Sequence, residues 1–251
     1  MSFNVRNMRA NDGENGWDFR RGLVFDVIRR YNPDILATQE AYHEQVEDLC
    51  DALPQYVQTG AGRDDGAREG EYCALFYRRD RFAADRQETF WFSETPSVPG
   101  SRHWTRHHAR ICTSVRLSAS GESITIYNVH LDHESQDARE RSARMLRGRV
   151  DGHVPPEHIV VAGDFNMEEG NPAIGRLLAG TPPLADTFRV KHPHQNACGS
   201  FHGFTGRTDG ERIDFIFASA EFTVAEASIL HDNDSGRYPS DHFPILARLR
   251  T

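Results

Sequence analysis

At six places in this chain, acidic, amide or imidazole side chains stand where apolar runs end or, once, inside such a run. Asn4 closes SFN, Glu40 follows ILATQ, and His130, Asp132 and His133 follow SITIYNV. Asp164 and Asn166 follow HIVVAG, Asp241 and His242 precede FPILARL, and Asp214 lies within RIDFIF. A carboxylate drawn toward an apolar environment is costly unless it is paired, protonated or bound to a cation. Each of these residues alone reads equally well as a turn residue or a helix cap. Jointly they are candidates for oxygen-ligand metal chemistry and for proton transfer.

The GDFN segment is either a turn after a buried strand, where Gly, Asp and Asn are common, or the mouth of a strand at which ligands collect. In the second reading Asp164 is a general base toward water, and Asn166, two residues on and on the same side, positions that water or a phosphate. Alternation in RIDFIF sets Ile213 and Phe215 on one face, with Asp214 and Ile216 on the other. Asp214 therefore needs a partner. That partner is an arginine such as Arg212 or Arg110 in a core ion pair, or His242, because a catalytic imidazole is normally held by a carboxylate on its other nitrogen. Asp241 then offers a second carboxylate for metal. His130 is either a satisfied core histidine or part of the same group. Thirteen histidines bring a zinc site into consideration. No pair has HxxxH or HExxH spacing on a helix and cysteine partners are missing, so the oxygen-rich set favours Mg²⁺, with Mn²⁺ possible, over zinc.

Positioning such residues requires strands with helices between them. Residues 2–6 read as a short strand and the polar stretch after it as a loop. Leu23, Val24, Val27 and Ile28 recur at helical spacing over about 20–30 until Asn32-Pro33 stops the pattern. Residues 34–39 form a buried strand delivering Glu40, and a second helix spans about 43–51. Strands are expected at 73–79, 88–92, 110–117, 123–131, 158–166, 212–218, 222–230 and 243–249, and helices at 137–150 and 172–178. Polar stretches at 60–71, 93–107 and 231–241 read as loops. Many adjacent strands with interleaved helices suit one α/β or α+β sandwich better than a helical bundle or a purely parallel sheet. Residues 1–251 are accordingly read as one domain, with no repeat and no linker.

At 251 residues the chain is long enough for one large core. A net charge of −8 argues against a non-specific polyanion binder, whose affinity would rest on neutralising phosphates, but leaves a small phosphorylated substrate open. No apolar stretch approaches the roughly 20 residues needed to span a bilayer. With no signal-peptide pattern at MSFNVRN, the expected location is the cytoplasm. Cys50, Cys73, Cys112 and Cys198 are far apart and read as free thiols. Nothing points to an obligate protein partner.

In order along the chain, SFNVR, PDILATQE, NVHLDH, GDFN, RIDFIF and SDHFP resemble the signature of the endonuclease/exonuclease/phosphatase (DNase I-like) superfamily. DGENGWDFRR, GRDDG, GEY, FWFSETP, HLDHESQDARERSA and SFHGFTG are most similar to a bacterial branch of that superfamily. The resemblance implies a four-layer α/β/β/α sandwich of two mixed sheets flanked by helices, with the site at one edge. It implies Glu40 as the main Mg²⁺ ligand, Asn4 beside it and Asp241 contributing directly or through water. Asp164 would activate water, Asn166 would hold it or the phosphoryl group, His242 oriented by Asp214 would stabilise the transition state, and His130 would contact the phosphate. Where some relatives carry an acid shortly after the first Asn, this chain has Arg6, and it starts only a residue before its first motif.

The expected activity is metal-assisted hydrolysis of a phosphomonoester or phosphodiester. The acidic chain favours a phosphorylated small molecule or a single-stranded nucleic acid as substrate. A duplex-DNA or abasic-site nuclease, and a non-catalytic binding protein that kept the fold, are the alternatives. Arg63, Asp65 and Glu71 in GRDDGAREGEY, Trp104 and Arg110 in SRHWTRHHAR, and Asp132 are the candidate substrate-binding residues. The arginines can grip a phosphate and the tryptophan can stack on a base or sugar.

Overall fold

Strands with apolar residues on both faces need cover on both sides, and two stacked sheets between helices supply it. The computed structural model describes residues 1–119, 121–153 and 158–251. Along the chain come β1 (Ser2–Asn4), α1 (Trp17–Tyr31), β2 (Ile35–Ala41), α2 (His43–Ala52), β3 (Tyr56–Thr59), β4 (Tyr72–Arg78), β5 (Ala83–Trp91) and β6 (Ile111–Ala119). Then follow β7 (Glu122–His130), α3 (Gln136–Asp151), β8 (His158–Asp164), α4 (Pro172–Leu178), β9 (Leu184–Asp186), α5 (Thr187–Lys191), β10 (Asp214–Ser219), β11 (Thr223–Ile229) and β12 (Ile245–Arg250). One mixed sheet has the order β11-β12-β1-β2-β4-β3 and the other β5-β6-β7-β8-β10-β9.

Side-chain alternation divides the apolar residues into three layers. Phe3, Leu36, Ala74 and Phe76 face outward from the first sheet onto Val24 and Ile28 of α1 and Val46 and Leu49 of α2. Val129, Val161, Phe215 and Phe217 face outward from the second sheet onto Leu146 and Val150 of α3 and Ile174 and Leu177 of α4. Ala37, Leu75, Val115, Ile126, Ala162, Ile216 and Ile245 pack between the sheets. The result is the expected α/β/β/α sandwich. Local chemistry sets the helix ends: Ser135 caps α3 through Ala138 N, Asn171 caps α4 ahead of Pro172, and α1 stops at Asn32 in a left-handed conformation before Pro33.

Strand direction gathers the polar ends on one edge. β1 runs parallel to β2, placing Asn4 opposite Gln39, and β7 runs parallel to β8, placing His130 opposite Asp164. β10 is antiparallel to β8, so its first residue, Asp214, pairs with Asp164. β12 is antiparallel to β1, which brings the residues before Ile245 to the same edge. The sheets are also bolted together there. Gln39 Nε2 donates to Asn128 Oδ1 at 2.7 Å and Asn128 Nδ2 donates to the carbonyls of Thr38 and Ala74 at 2.9 Å each, so a β7 side chain enters the hydrogen bonding of β2 and β4.

Some expected elements differ. β1 ends at Asn4 because Arg6 takes a positive φ of 53°. α1 begins at Trp17, earlier than its apolar periodicity suggests. β5 begins at Ala83 although residues 83–87 are exposed, since pairing with β6 and not burial holds them in the sheet. β3, β9 and α5 were not expected. They are three to five residues long, too short for a periodic pattern. At the head of β10, buried Arg212 donates to Glu169 and Asp186, and Arg189 grips Glu169 from the other side.

Two stability predictions follow from these contacts. Asn128→Ala removes three buried hydrogen bonds and leaves Gln39 underpartnered, so urea denaturation should register a loss of about 2–4 kcal/mol; a loss under about 1 kcal/mol would contradict the bolt. Hydrogen bonds from Arg189 and then Arg212 hold the Glu169 carboxyl down at about 2, against an ordinary value of 4.5. Its contribution is therefore present above pH 4.5 and fades as the pH falls toward 2. Because its side chain is 45% exposed, Glu169→Gln should cost only about 1 kcal/mol at pH 7. The gap between wild type and variant should close over that acid window in pH-dependent denaturation, and a pH-independent gap would refute the assignment.

Candidate active site

Six segments from both sheets converge at the sandwich edge, and several bend sharply to do so. Arg6, Glu40 and Asn166 all have positive φ, at 53°, 65° and 50°. Such conformations cost about 1–3 kcal/mol each and persist where the surroundings impose them. Just before Asp164, Gly163 has φ of 146°, and a Cβ there would lie 2.0 Å from the Val129 carbonyl oxygen. Only glycine lets β8 approach β7 this closely, which sets His130 beside Asp164.

Asn4 sits at the centre. Its Nδ2 donates to Glu40 Oε1 and to Asp164 Oδ2, each at 3.0 Å, while its Oδ1 accepts from the Arg6 amide. The amide thus joins the two carboxylates as a donor, and its oxygen faces away from them. Asn7 donates to the other Glu40 oxygen from both its backbone and its side chain, at 3.2 and 3.1 Å. The Arg6 guanidinium lies 3.8 Å from Glu40 Oε2 and 3.6 Å from Asp241 Oδ2. Asp12 anchors it through two hydrogen bonds. Buried Arg20 clamps this loop by donating to the carbonyls of Val5, Arg6, Asn15 and Pro239.

His242 Nδ1 is 2.9 Å from Asp214 Oδ2, and its Nε2 lies 3.9 Å from Asp164 Oδ2. Ser200 Oγ accepts from the backbone N–H groups of Ile213 and Asp214, fixing the residue that holds the imidazole. Burial opposes charge on His242, but Asp214, Asp164 and Asp241 outweigh it and raise its pKa well above the ordinary value. Glu40 is also buried, yet His242, Asn4 and Arg6 keep it below the usual range. Asp164 goes the other way. Burial, and then repulsion from Asp214, push it up to about 7. His130 lies 3.6 Å from Asp164 and 3.8 Å from Glu71 and is held neutral, chiefly by burial and then by Arg110 and Arg63.

Glu40, His130, Asp164, Asn166, Asp241 and His242 line a pocket of about 370 Å³. Glu40, Asp164 and His242 each offer a ligand atom within 4.8 Å of the others. His242 when charged has no lone pair for a cation, so the buried carboxylate oxygens of the pocket are the donors that fit a hard divalent ion. Of the residues expected to bind substrate, Arg63, Glu71 and Arg110 line the pocket. The other three lie off it. Exposed Asp65 accepts from the Ala67 and Glu69 amides and shapes its own turn. Trp104 packs against the second sheet's outer core, and Asp132 stands behind Arg110 at 3.8 Å. Sequence reading missed Asn7, His108, Phe201 and Glu211, which also line the pocket. Asn7 had a signal in directly following the SFNVR motif, and Phe201 in lying within SFHGFTG; Glu211 had none, since it arrives from a long loop.

A family model described as the Endonuclease/Exonuclease/phosphatase family matches residues 1–242. An endonuclease/exonuclease/phosphatase structure from Bacteroides vulgatus is 32% identical with a TM-score of 0.90, covering 99% of this chain and 97% of that one. A mannosyl-6-phosphatase from Bacteroides thetaiotaomicron is 31% identical with a TM-score of 0.90, covering 100% and 98%. Uncharacterized protein L388 of Acanthamoeba polyphaga mimivirus is 28% identical over 92% of this chain and 91% of its own length. Mouse nocturnin is 23% identical over 92% of this chain, which spans 58% of that longer protein. No helix among the described residues is long and apolar enough to cross a membrane. Sequence motifs, the α/β/β/α architecture and the clustered carboxylates and histidine agree: the chain is a phosphoester hydrolase and belongs to the endonuclease/exonuclease/phosphatase family.

Proposed function

We propose that the protein hydrolyses a phosphomonoester of a small molecule with the help of a divalent cation. The observation that carries this reading is the convergence of Glu40, Asp164 and His242 within 4.8 Å, with His242 held by Asp214 at 2.9 Å. A 370 Å³ pocket in a chain of net charge −8 supports a small substrate over a duplex. The likeness to a mannosyl-6-phosphatase supports the same choice.

Glu40 and Asp241 are the residues to hold the cation, Mg²⁺ or Mn²⁺. When bound, it supplies positive charge to the phosphoryl oxygens and to the departing alkoxide. Asp164, with a pKa near neutrality and one oxygen facing the pocket groups, takes a proton from the attacking water. Asn4 and the Asn166 backbone N–H fix that carboxyl by donating to one oxygen each. The water oxygen bonds to phosphorus, the bond from phosphorus to the alcohol oxygen breaks, and the alkoxide takes a proton from solvent. Charged His242, fixed by Asp214, and neutral His130 donate hydrogen bonds to phosphoryl oxygens as charge builds there. Phe201, 40% exposed and edge-on to His242 at 5.1 Å, supports a second reading in which the substrate is the end of a single-stranded nucleic acid stacked on that ring.

Assay against p-nitrophenyl phosphate, sugar phosphates, inositol phosphates and single-stranded oligonucleotides with Mg²⁺ or Mn²⁺ tests these readings. Activity on small esters that chelation abolishes and metal restores is expected, and preference for oligonucleotides would favour the second reading. Glu40→Gln should lower kcat/KM by about 10²–10⁴. Asp214→Asn should lower kcat by about 10³ with little change in KM, as expected when an imidazole loses its orienting acceptor. A wild type inert toward every ester in the panel would overturn the proposal.

A further inference from the structure

Beside the hydrolytic residues, the pocket wall carries polar groups that the hydrolysis does not use. Arg63 and Arg110 are 5% and 3% exposed. Arg63 Nη1 donates to Glu71 Oε2 at 2.5 Å, and Arg110 Nη2 lies 2.7 Å from His133 Nδ1. Their remaining ion pairs are long: Arg63 Nε to Asp64 at 4.0 Å and Arg110 Nε to Asp132 at 3.8 Å. Three buried N–H donors, Arg63 Nε, Arg110 Nε and Arg110 Nη1, meet no acceptor among the described residues. A buried donor with nothing to accept from it is destabilising, so each of these calls for an acceptor.

Arg63, Glu71, Arg110 and His130 line a recess of about 10 Å³ together with Tyr72, Cys73, Ala109 and Ile111, and the first four also line the larger pocket. The recess has room for one oxygen atom. It offers donors from two guanidiniums and an acceptor in Glu71, whose pKa burial raises to about 7 despite Arg63. An oxygen that both accepts and donates suits it, and a second phosphate or a carboxylate group is too large. A water molecule fits these terms, and so does a hydroxyl of a bound substrate that displaces it.

We propose, resting on the phosphoesterase reading above, that the recess receives a hydroxyl of the alcohol esterified to the scissile phosphate. The substrate class is then a phosphorylated sugar, and Arg63, Glu71 and Arg110 are specificity-determining residues. A site built to bond a hydroxyl rejects an analogue lacking it far more strongly than a pocket of apolar contacts does.

The test compares mannose, glucose and galactose 6-phosphates and ribose 5-phosphate with cyclohexylmethyl phosphate, which keeps a ring and a primary ester but no hydroxyl. Wild type should favour its best sugar phosphate by about 100-fold or more in kcat/KM. In Arg110→Met and Glu71→Gln the ratio should fall below about tenfold. Both substrates are measured on one preparation, so the ratio is independent of the folded fraction. Equal use of cyclohexylmethyl phosphate by wild type, or a ratio kept in both variants, would overturn the proposal while leaving the phosphoesterase reading standing. If wild type hydrolyses none of these esters but another ester of the panel above, the sugar-phosphate proposal is overturned; if it hydrolyses no ester at all, that earlier reading is the one that fails. The recess is then read by saturation-transfer NMR with the methyl glycosides of the same sugars: binding lost in Arg110→Met supports it, and no binding to wild type overturns it.

Discussion

Glu40, Asp164, Asp214 and Asp241, all buried at one edge of the sandwich, impose the constraint that the rest of the site answers. Carboxylates removed from water repel one another strongly and pay a large desolvation cost. Each has its own compensation. Asn4 bridges Glu40 and Asp164, Asn7 covers the far side of Glu40, and the charged His242 lies between Asp214 and Asp164. Asp164 is the least compensated, and its raised pKa follows from that imbalance. The asymmetry separates the carboxyls into one suited to holding charge and one suited to accepting a proton, as paired carboxylates in other active sites are separated by their surroundings.

Because Glu40 comes from one sheet and Asp164 from the other, their spacing depends on how the sheets register against each other. Apolar packing between sheets is tolerant of small slides, whereas hydrogen bonds are directional. The Gln39–Asn128 pair lies one and two residues from Glu40 and His130 in sequence. It therefore fixes the register at the place where error would matter most. Functional geometry has to be held to about half an ångström, and a side-chain amide seated in the opposing sheet provides that.

The fold was legible because long apolar strands with polar ends cannot be hidden in a sequence, and the motifs at those ends recur in a recognisable order. Glu40, Asp164, Asn166, Asp214, Asp241, His130 and His242 lie at one edge for that reason. What escaped was of two kinds. β3, β9 and α5 take their stability from neighbours and leave no periodic trace of their own. Asp65, Trp104 and Asp132 were read by residue type within polar loops, and type does not tell which way a loop side chain turns: Asp65 folds back on its own backbone, and Asp132 serves Arg110 and the Glu134 and Ser135 amides. Asn4 was read as a metal ligand beside Glu40, but its nitrogen and not its oxygen faces the carboxylates, so that it serves them as a hydrogen-bond donor.

Arg6 gives the site a further property. In proteins whose metal site is not formed before the ion arrives, ion uptake and folding become one event, and chelators unfold the chain. Here a guanidinium tethered by Asp12 stands beside both Glu40 and Asp241. Part of the charge is already balanced by the polypeptide. Glu40 and Asp241 therefore have a counter-charge built into the chain itself, and their placement at the edge does not depend on a cation alone.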